Sequence, residues 1–289
     1  PVANRLLRAS PVRRVLQATL GIHRHAPLPA SARRTLRSWL RRRVSPQPTR
    51  GSVIYFHGCA ANFYEVETGR MTVEVLEHIG FRVLTPRQGC CGLPLQSNGL
   101  FDDARRAVRA LVGALRSADA TAPIIASSTS CGLMLKREAR EILDVDDAEV
   151  CEVGARTYDI CEFLLDLHER DELPTDFRHL SLKVPYHAPC QLRGHAIGTP
   201  AVELMRLVPG VTVIESDAAC CGVAGTYGLK REKYDIAMAV GDPLFTMVRD
   251  MHPPLAVCDS ETCRWQIEAA TDVPTVHPIA LLHRAYGLS

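Results

Sequence analysis

The sequence contains few aromatic residues and no long apolar run. Aromatic side chains make up 6% of its 289 residues, so Leu, Val, Ile and Ala must supply most of a core. No apolar run approaches the roughly 20 residues that a helix needs to cross a bilayer. We see no targeting segment. We therefore expect a cytoplasmic protein whose eleven cysteines bind metal or carry redox chemistry rather than form disulfides.

Acidic residues are absent from the first fifty positions, which contain twelve arginines; the first acidic residue is Glu65. The rest of the chain carries the other 22 basic residues and all 32 acidic ones, a net charge of −10. We therefore predict a basic arm at residues 1–50 in front of an acidic body. Membrane lipid, nucleic acid or an acidic protein would each complement such an arm.

Two short helices are predicted in this arm, one over residues 11–20 and one that begins near Ser31, a residue type that caps helices. Their apolar faces are formed by Val12, Val15, Leu16 and Leu20 in the first and by Leu36, Trp39 and Leu40 in the second. Two interpretations remain open: basic amphipathic helices at a membrane interface, or helices packed on the body with a solvated arginine face. The Ser-Pro-Gln-Pro stretch at 45–48 predicts a linker.

The body contains an internal repeat of four cysteines. The first set recurs at offsets of 131, 130, 130 and 132 residues. The repeated residues are Cys59, Cys90, Cys91 and Cys131 in the first copy and Cys190, Cys220, Cys221 and Cys263 in the second. We therefore predict two modules, at residues 51–180 and 181–289.

Short apolar strands alternate with helical periodicity in both copies. Strands are predicted at 53–56, 81–84 and 123–126, and again at 183–186, 211–214 and 255–257; helices are predicted at 66–79 and 101–117. This alternation predicts an α/β fold in which each module is a parallel sheet flanked by helices. Every repeated cysteine follows a predicted strand, so we expect each set of four thiols to meet at the carboxyl edge of its sheet.

Four thiolates suit either zinc or an iron–sulfur cluster. The adjacent pairs, Cys90-Cys91 and Cys220-Cys221, favour a cluster, because neighbouring side chains point apart and reach different irons more easily than one tetrahedral ion. Gly92 and Gly222 allow a tight turn beside the metal. Zinc in one of the two modules remains an open alternative.

Other residues near these cysteines have less specific patterns. His57 and His187 precede the first cysteine of each copy and would either hydrogen-bond to a cluster and move protons, or simply close a strand end. Trp265 is expected to shield the metal near Cys263 from water. Cys151 and Cys161 lie outside the repeat and are interpreted as core cysteines.

The double Cys…Cys-Cys-Gly…Cys pattern resembles the cysteine-rich (CCG) domain family, and within it the C subunits of anaerobic glycerol-3-phosphate dehydrogenases. The resemblance covers nearly the whole chain, with the strings FHGC at 56–59, CCGVAGTYG at 220–228 and ETCRWQIE at 261–268. It implies up to two iron–sulfur clusters, of [4Fe–4S] type, in a subunit that relays electrons and is itself non-catalytic.

The same resemblance implies partners and a location. Electrons would come from a flavin-bearing dehydrogenase subunit that oxidises glycerol 3-phosphate and would pass to quinone. The chain would sit peripherally on the cytoplasmic face of the inner membrane, held through residues 1–50, with no nucleic acid involved. Runner-up functions are a thiol–disulfide redox subunit like heterodisulfide reductase, and a zinc-stabilised assembly subunit.

The sequence departs from the family pattern in two ways. Ser128 and Ser260 stand where the heterodisulfide reductase relatives have a fifth cysteine, and Cys258 is displaced by two positions, which makes it a possible fifth ligand in the second copy. The two ferredoxin-like motifs of the C subunits do not occur here. We expect that the chain begins after that domain, and that a ferredoxin-like domain or subunit supplies those clusters.

Overall fold

The computed structural model describes residues 2–288, with the side chains of 4–7 and 9–288, and contains two four-stranded parallel sheets. The first sheet has the order β2-β1-β3-β4, with β1 Ser52–Phe56, β2 Arg82–Leu84, β3 Ile124–Ala126 and β4 Thr157–Asp159. The second has the order β6-β5-β7-β8, with β5 Leu182–His187, β6 Val211–Glu215, β7 Ala256–Cys258 and β8 Thr275–Val276. The two orders are equivalent, which confirms the predicted α/β fold with two repeated modules.

The outer strands β4 and β8 were not predicted. They contain three and two residues, which is too short for a periodic pattern to appear in the sequence. Each is followed by a helix whose N-cap side chain, Asp159 or His277, accepts a hydrogen bond from the backbone N–H two residues on. The caps show that the two copies end in the same way.

Helices connect the strands and cover the sheets. The arm contains α1 Val2–Arg8, α2 Ser10–Leu20 and α3 Leu36–Leu40. The first module contains α4 Ala60–Phe63, α5 Val66–His78, α6 Leu93–Gln96, α7 Phe101–Ala118, α8 Thr129–Leu133, a π-helical turn Met134–Glu138, α9 Ala139–Glu141, α10 Ala148–Ala155 and α11 Ile160–Glu169. The second contains α12 Cys190–His195, α13 Pro200–Arg206, a 3₁₀ turn Tyr227–Leu229, α14 Tyr234–Met251, α15 Glu261–Thr271 and α16 Pro278–Ala285.

The long helix α7 illustrates how sequence pattern becomes packing. Its buried residues recur at helical spacing and form one face against the sheet: Ala104, Val108, Leu111, Val112 and Leu115. Asp102 and Asp103 lie in its first turn and Arg116 in its last, where their charges complement the helix dipole. The predicted helices at 66–79 and 101–117 are confirmed by α5 and α7.

The two sheets share one hydrophobic core. Val53 and Ile125 of the first sheet and Val184 and Val257 of the second are buried in the same cluster. Helix α16 of the second module packs on α5 of the first, where His283 Nε2 lies 2.8 Å from Glu74 Oε2. Because the apolar residues of both copies are buried together, the repeat forms a single packed body.

The second predicted arm helix packs its apolar side against the body of the protein. Leu36 is fully buried against Tyr55 and Val73, and Trp39 packs at the edge of the same cluster beneath the guanidinium of Arg43. The N-cap is Thr35, whose hydroxyl accepts from the Ser38 N–H at 3.2 Å, so the prediction of Ser31 as the cap was wrong. This part of the arm therefore follows the body-packed interpretation.

The first arm helices present apolar side chains to solvent. Leu6, Val15 and Leu20 are 53%, 58% and 65% exposed, and α2 has no buried residue. The chain after α2 is fixed to the second module by the hydrogen bond from His23 N–H to Leu229 O, at 2.8 Å. Among the helices of residues 2–288, none combines the length and hydropathy that a membrane span requires.

Both Cys-Cys-Gly turns depend on their glycine. Gly92 and Gly222 have φ of 90° and 85°, in the left-handed region. A Cβ on Gly222 would lie 1.9 Å from the Ala237 carbonyl oxygen, and one on Gly92 would lie 3.0 Å from the Ala104 carbonyl oxygen. Each turn therefore passes directly against the following long helix, a close approach that the sequence analysis did not predict.

Gly222→Ala is expected to destabilise the protein strongly, because the backbone is left-handed there and α14 blocks the new methyl group. We expect a loss of roughly 3 kcal/mol, or about 6–12 °C in the unfolding temperature of the anaerobically prepared protein. Differential scanning calorimetry measures the shift.

Gly225→Ala is the matched control, since Gly225 has φ of 64° but no atom that would lie within 4 Å of an added Cβ. This variant should lose only about 1–2 kcal/mol of stability, the cost of a left-handed backbone for a residue other than glycine. Equal shifts for the two variants would contradict the close approach between the turn and α14.

Candidate metal centres

Three loops at the carboxyl edge of each sheet contain the cysteines of one set. In the first module Cys59 follows β1, the Cys90-Cys91 pair follows β2 and Cys131 lies in α8 after β3. The second module repeats this arrangement: its four cysteines follow β5, β6 and β7 and are Cys190, Cys220, Cys221 and Cys263. Because β1 and β5 are central strands with neighbours on both sides, the three loops of each module converge.

The first four thiols form a continuous cluster. Cys59 and Cys91 both lie within hydrogen-bond reach of Cys90, and Cys131 lies within reach of Cys91. The hydrogen bond from Cys59, and then that from Cys91, lowers the pKa of Cys90 to about 2. The same hydrogen bond to Cys90, followed by burial, raises the pKa of Cys59. One thiolate is therefore held by the protons of its neighbours and by the Gly92 N–H, 3.4 Å from Cys90 Sγ.

The second four thiols repeat this geometry. Cys221 Sγ lies 2.9 Å from Cys263 Sγ, and the Gly222 N–H donates to Cys220 Sγ at 3.3 Å. Hydrogen bonds from Cys190 and then Cys221 lower the pKa of Cys220 to about 2. The hydrogen bond with Cys220, followed by that with Cys263, raises the pKa of Cys221. All eleven cysteines of the chain are free thiols.

The donor set fits a metal with soft-ligand preference. Four converging thiols cannot all ionise unless cations lie between them, because like charges at hydrogen-bond distance repel. Thiolates prefer zinc or iron–sulfur clusters among the common biological metals. Each set therefore offers the donor chemistry of a metal centre, and the cysteines that converge are those that the sequence repeat identifies.

The two histidines before the first cysteines are buried and each has one nitrogen engaged. His57 Nδ1 lies 2.7 Å from Gly58 O, and His187 Nδ1 lies 3.2 Å from Ser216 Oγ. Burial lowers the pKa of each to about 4, so both are neutral near pH 7. The Nε2 atom of each has no hydrogen-bond partner within residues 2–288. In the second module His187 lies with Cys221 and Cys263 in a group whose donor atoms are within 4.8 Å of one another.

The positions of the expected fifth cysteine differ between the modules. Cys258 is fully buried and within hydrogen-bond reach of Cys263, whose pKa is lowered by Cys221 but raised overall by Cys258 and burial. Ser128 instead donates to Glu261 Oε1 of the second module at 3.0 Å. The second set thus has a fifth thiol nearby, whereas in the first set the serine contributes to the contact between modules.

The cysteines outside the repeat have different environments. Cys161 is fully buried, as predicted for a core cysteine. Cys151 is only partly buried and its Sγ lies 3.4 Å from Asp146 Oδ1. The interpretation of Cys151 as a core residue was therefore wrong, because its helix α10 turns that position towards a surface carboxylate.

An apolar cavity of about 170 Å³ opens beside the first set. Its lining includes Cys59, Cys91, Cys131, Val223, Glu261 and Trp265. A second cavity of about 240 Å³ borders all four cysteines of the second set. The two cavities adjoin, since both linings include Leu93, Ser97, Gln191, Val223, Gly225 and Thr262.

Beside the cavity lies a polar network that the sequence analysis missed. Glu65 of the first module accepts from Arg264 Nη2 at 2.9 Å and from Trp265 Nε1 at 2.6 Å. Arg264 is almost fully buried and also donates to Cys258 O and Asp259 O. These partners are about 200 residues apart in sequence, so no local pattern connects them. Trp265 was expected to cover Cys263; it lines the cavity of the first set instead.

The comparisons with known proteins agree with this geometry. The cysteine-rich domain family, CCG, matches residues 53–136 and 184–268. The chain is 36% identical to the C subunit of anaerobic glycerol-3-phosphate dehydrogenase from Escherichia coli (strain K12), across 99% of this chain and 72% of that protein. It is 30% identical to lactate utilization protein A of Geobacillus kaustophilus (strain HTA426), across 62% of this chain and 74% of that protein.

A solved structure has a similar fold. The crystal structure of a hypothetical protein from Helicobacter pylori superposes with a TM-score of 0.52 at 11% identity, covering 99% of this chain and 57% of that chain. This likeness concerns the fold alone. The two family matches and the long alignment to the dehydrogenase subunit show that the chain belongs to the cysteine-rich (CCG) domain family, as a homologue of the C subunit of anaerobic glycerol-3-phosphate dehydrogenase.

Proposed function

We propose that this chain is an iron–sulfur electron-transfer subunit of a membrane-associated dehydrogenase complex. The observation that carries the proposal is the convergence of four thiols at the carboxyl edge of each sheet. Iron–sulfur clusters of [4Fe–4S] type, when bound there, would supply one-electron redox chemistry. The protein residues hold the clusters, bury them and set their surroundings.

The adjacent cysteines support iron–sulfur clusters over zinc in both sets. Each set has Cys-Cys followed by a left-handed glycine, and the glycine N–H donates to the first sulfur of the pair. Such N–H donors stabilise the negative charge that cluster sulfurs carry. The free Nε2 atoms of His57 and His187 are further neutral groups available beside the sets.

The arrangement of the two sets supports a relay. The cavities beside them have six lining residues in common, so the two sets border adjoining cavities. Ser128, which stands at the first fifth-ligand position, is hydrogen-bonded to Glu261 rather than free for a metal. We therefore favour electron transfer over disulfide cleavage as the function of this chain.

The cavity beside the first set is proposed as the place where quinone takes up electrons. It is lined mainly by apolar atoms, and the Trp265 ring forms part of it. Pro27 and Pro29, which follow the exposed arm helices, also line it. The arm would therefore lie on the cytoplasmic face of the membrane, and the cavity would face the quinone. A flavin-bearing subunit and a ferredoxin-like domain or subunit would be the electron donors. By homology, the flavin subunit would oxidise glycerol 3-phosphate.

Cys221→Ser should remove about half of the iron, because it disrupts the second set and leaves the first intact. Iron and acid-labile sulfide per chain, with electron paramagnetic resonance of the reduced anaerobic protein, measure this. Cys151→Ser is the matched control, since Cys151 lies outside both sets, and its iron content should equal that of the wild type.

Two results would contradict the cluster assignment. The first is unchanged iron in Cys221→Ser. The second is wild-type protein that contains zinc and no iron in both sets, which would favour an assembly subunit. Steady turnover of disulfide substrates by the iron-loaded protein would instead favour the thiol–disulfide alternative.

Thr226→Trp should slow oxidation of the reduced protein by a water-soluble quinone about tenfold, because Thr226 is exposed at the cavity and a large side chain blocks it. Stopped-flow absorbance after dithionite reduction measures the rate. Thr246→Trp, at an exposed site on α14, is the control and should react like the wild type. Equal rates for both variants at full iron content would remove the cavity as the quinone site.

Replacing Val15 and Leu20 by Ser should weaken liposome binding at least about fivefold, because membrane affinity of an amphipathic helix depends on its buried apolar area. Co-sedimentation with vesicles of anionic phospholipid measures binding. The matched control replaces Ile236 and Val240 by Ser, which are 51% and 49% exposed on α14. If the control loses as much binding as the arm variant, the arm is not the membrane contact.

A further inference from the structure

Three potential metal ligands outside the repeated cysteine sets meet at the contact between the two modules. They are Asp159, Cys161 and Asp259, and one donor atom from each lies within 4.8 Å of the other two. Their exposed fractions are 1%, 0% and 0%. Asp159 is the last residue of β4 in the first sheet, whereas Asp259 follows β7 of the second. The cluster therefore joins the two halves of the repeat.

In each carboxylate one oxygen accepts a hydrogen bond and the other does not. Asp159 Oδ1 accepts from the Cys161 N–H at 2.8 Å, and Asp259 Oδ2 accepts from the Tyr186 hydroxyl at 2.6 Å. The other oxygens, Asp159 Oδ2 and Asp259 Oδ1, are buried and have no hydrogen-bond partner within residues 2–288. Buried polar atoms are nearly always satisfied, so two such oxygens in one cluster indicate a ligand.

No cationic side chain among those that the structure describes is available to neutralise the pair. Arg264 is the charged neighbour of Asp259, and its guanidinium is already bound to Glu65 and to the carbonyl oxygens of Cys258 and Asp259. Burial, followed by the charge of Asp259, raises the pKa of Asp159 to about 8. Two carboxylates and a thiol are thus enclosed together in a region that disfavours their charge.

The two copies use different side chains at equivalent positions. Tyr186 and Asp259 correspond to Tyr55 and Ser127, whose hydroxyl oxygens are also 2.6 Å apart. The capping role of Asp159 is filled in the second copy by His277. At the equivalent positions a hydroxyl and an imidazole make the corresponding hydrogen bonds. Those hydrogen bonds therefore do not explain why two carboxylates lie here.

We propose that Asp159, Cys161 and Asp259 form a third metal site, which binds one zinc(II) ion between the modules. Two carboxylate oxygens and a thiolate form a mixed hard and soft donor set, which suits zinc better than magnesium or calcium. The hydrogen-bonded oxygens fix the direction of each carboxylate, as is usual around bound metals. The ion offsets two of the three negative charges of its ligands and ties the first module to the second.

The test uses the full chain with its iron–sulfur clusters reconstituted, incubated anaerobically with a slight excess of zinc(II) and then desalted. We expect about one zinc per chain by mass spectrometry. X-ray absorption at the zinc edge should show one sulfur neighbour at about 2.3 Å and oxygen neighbours at about 2.0–2.2 Å. Asp259→Asn and Cys161→Ser should each lower retained zinc at least about tenfold, with iron unchanged.

The controls separate this site from the cysteine sets. Asp159→Asn should also lose zinc while keeping the helix cap, since Asn caps as well as Asp. Cys151→Ser should retain zinc fully. Zinc surrounded by four sulfurs, zinc that persists in the three site variants, or wild-type protein that retains none would overturn the proposal. Wild-type protein that retains no zinc would indicate that Asp159 and Asp259 share a proton instead of binding a metal ion. Iron is measured separately, so failure here does not bear on the electron-transfer function.

Discussion

Four thiols brought to hydrogen-bond distance at the carboxyl edge of a parallel sheet are the constraint on which the structure depends. Parallel strands direct successive loops to one edge, and the left-handed glycines let the Cys-Cys turns fold back against α7 and α14. Sulfurs as close as 2.9 Å cannot all carry negative charge without cations between them. The fold thus brings together two sets of thiols, which we propose that iron–sulfur clusters complete.

The two modules pack as one body because apolar and polar contacts cross between them. Apolar residues of both sheets fill one cluster, and the polar contacts Glu65–Arg264 and Ser128–Glu261 cross between the modules near the cavity. These contacts hold together the modules that carry the two cysteine sets, which suits the electron transfer that we propose between them. They also account for the burial of Arg264, since its charge is paired and its remaining donors reach backbone carbonyls.

The sequence predicted what is periodic or repeated. The cysteine offsets predicted two equivalent modules, and apolar alternation located six of the eight strands. The short strands β4 and β8 gave no pattern, and the cap at Thr35 was missed because Ser31 is an equally good capping residue. Pairings such as Glu65 with Arg264, or Asp159 with Asp259, depend on how the modules pack, which local sequence does not encode. The environments of Trp265 and Cys151 were misjudged for the same reason.

The central claim is that both thiol sets hold iron–sulfur clusters, and Mössbauer spectroscopy of the ⁵⁷Fe-enriched, anaerobically prepared chain tests it most directly. The account predicts about eight iron atoms per chain, in two sulfur-coordinated cluster populations of about four each. A spectrum of isolated tetrahedral iron without sulfide, or a single population of about four iron atoms beside one zinc site with four sulfur ligands, would contradict it.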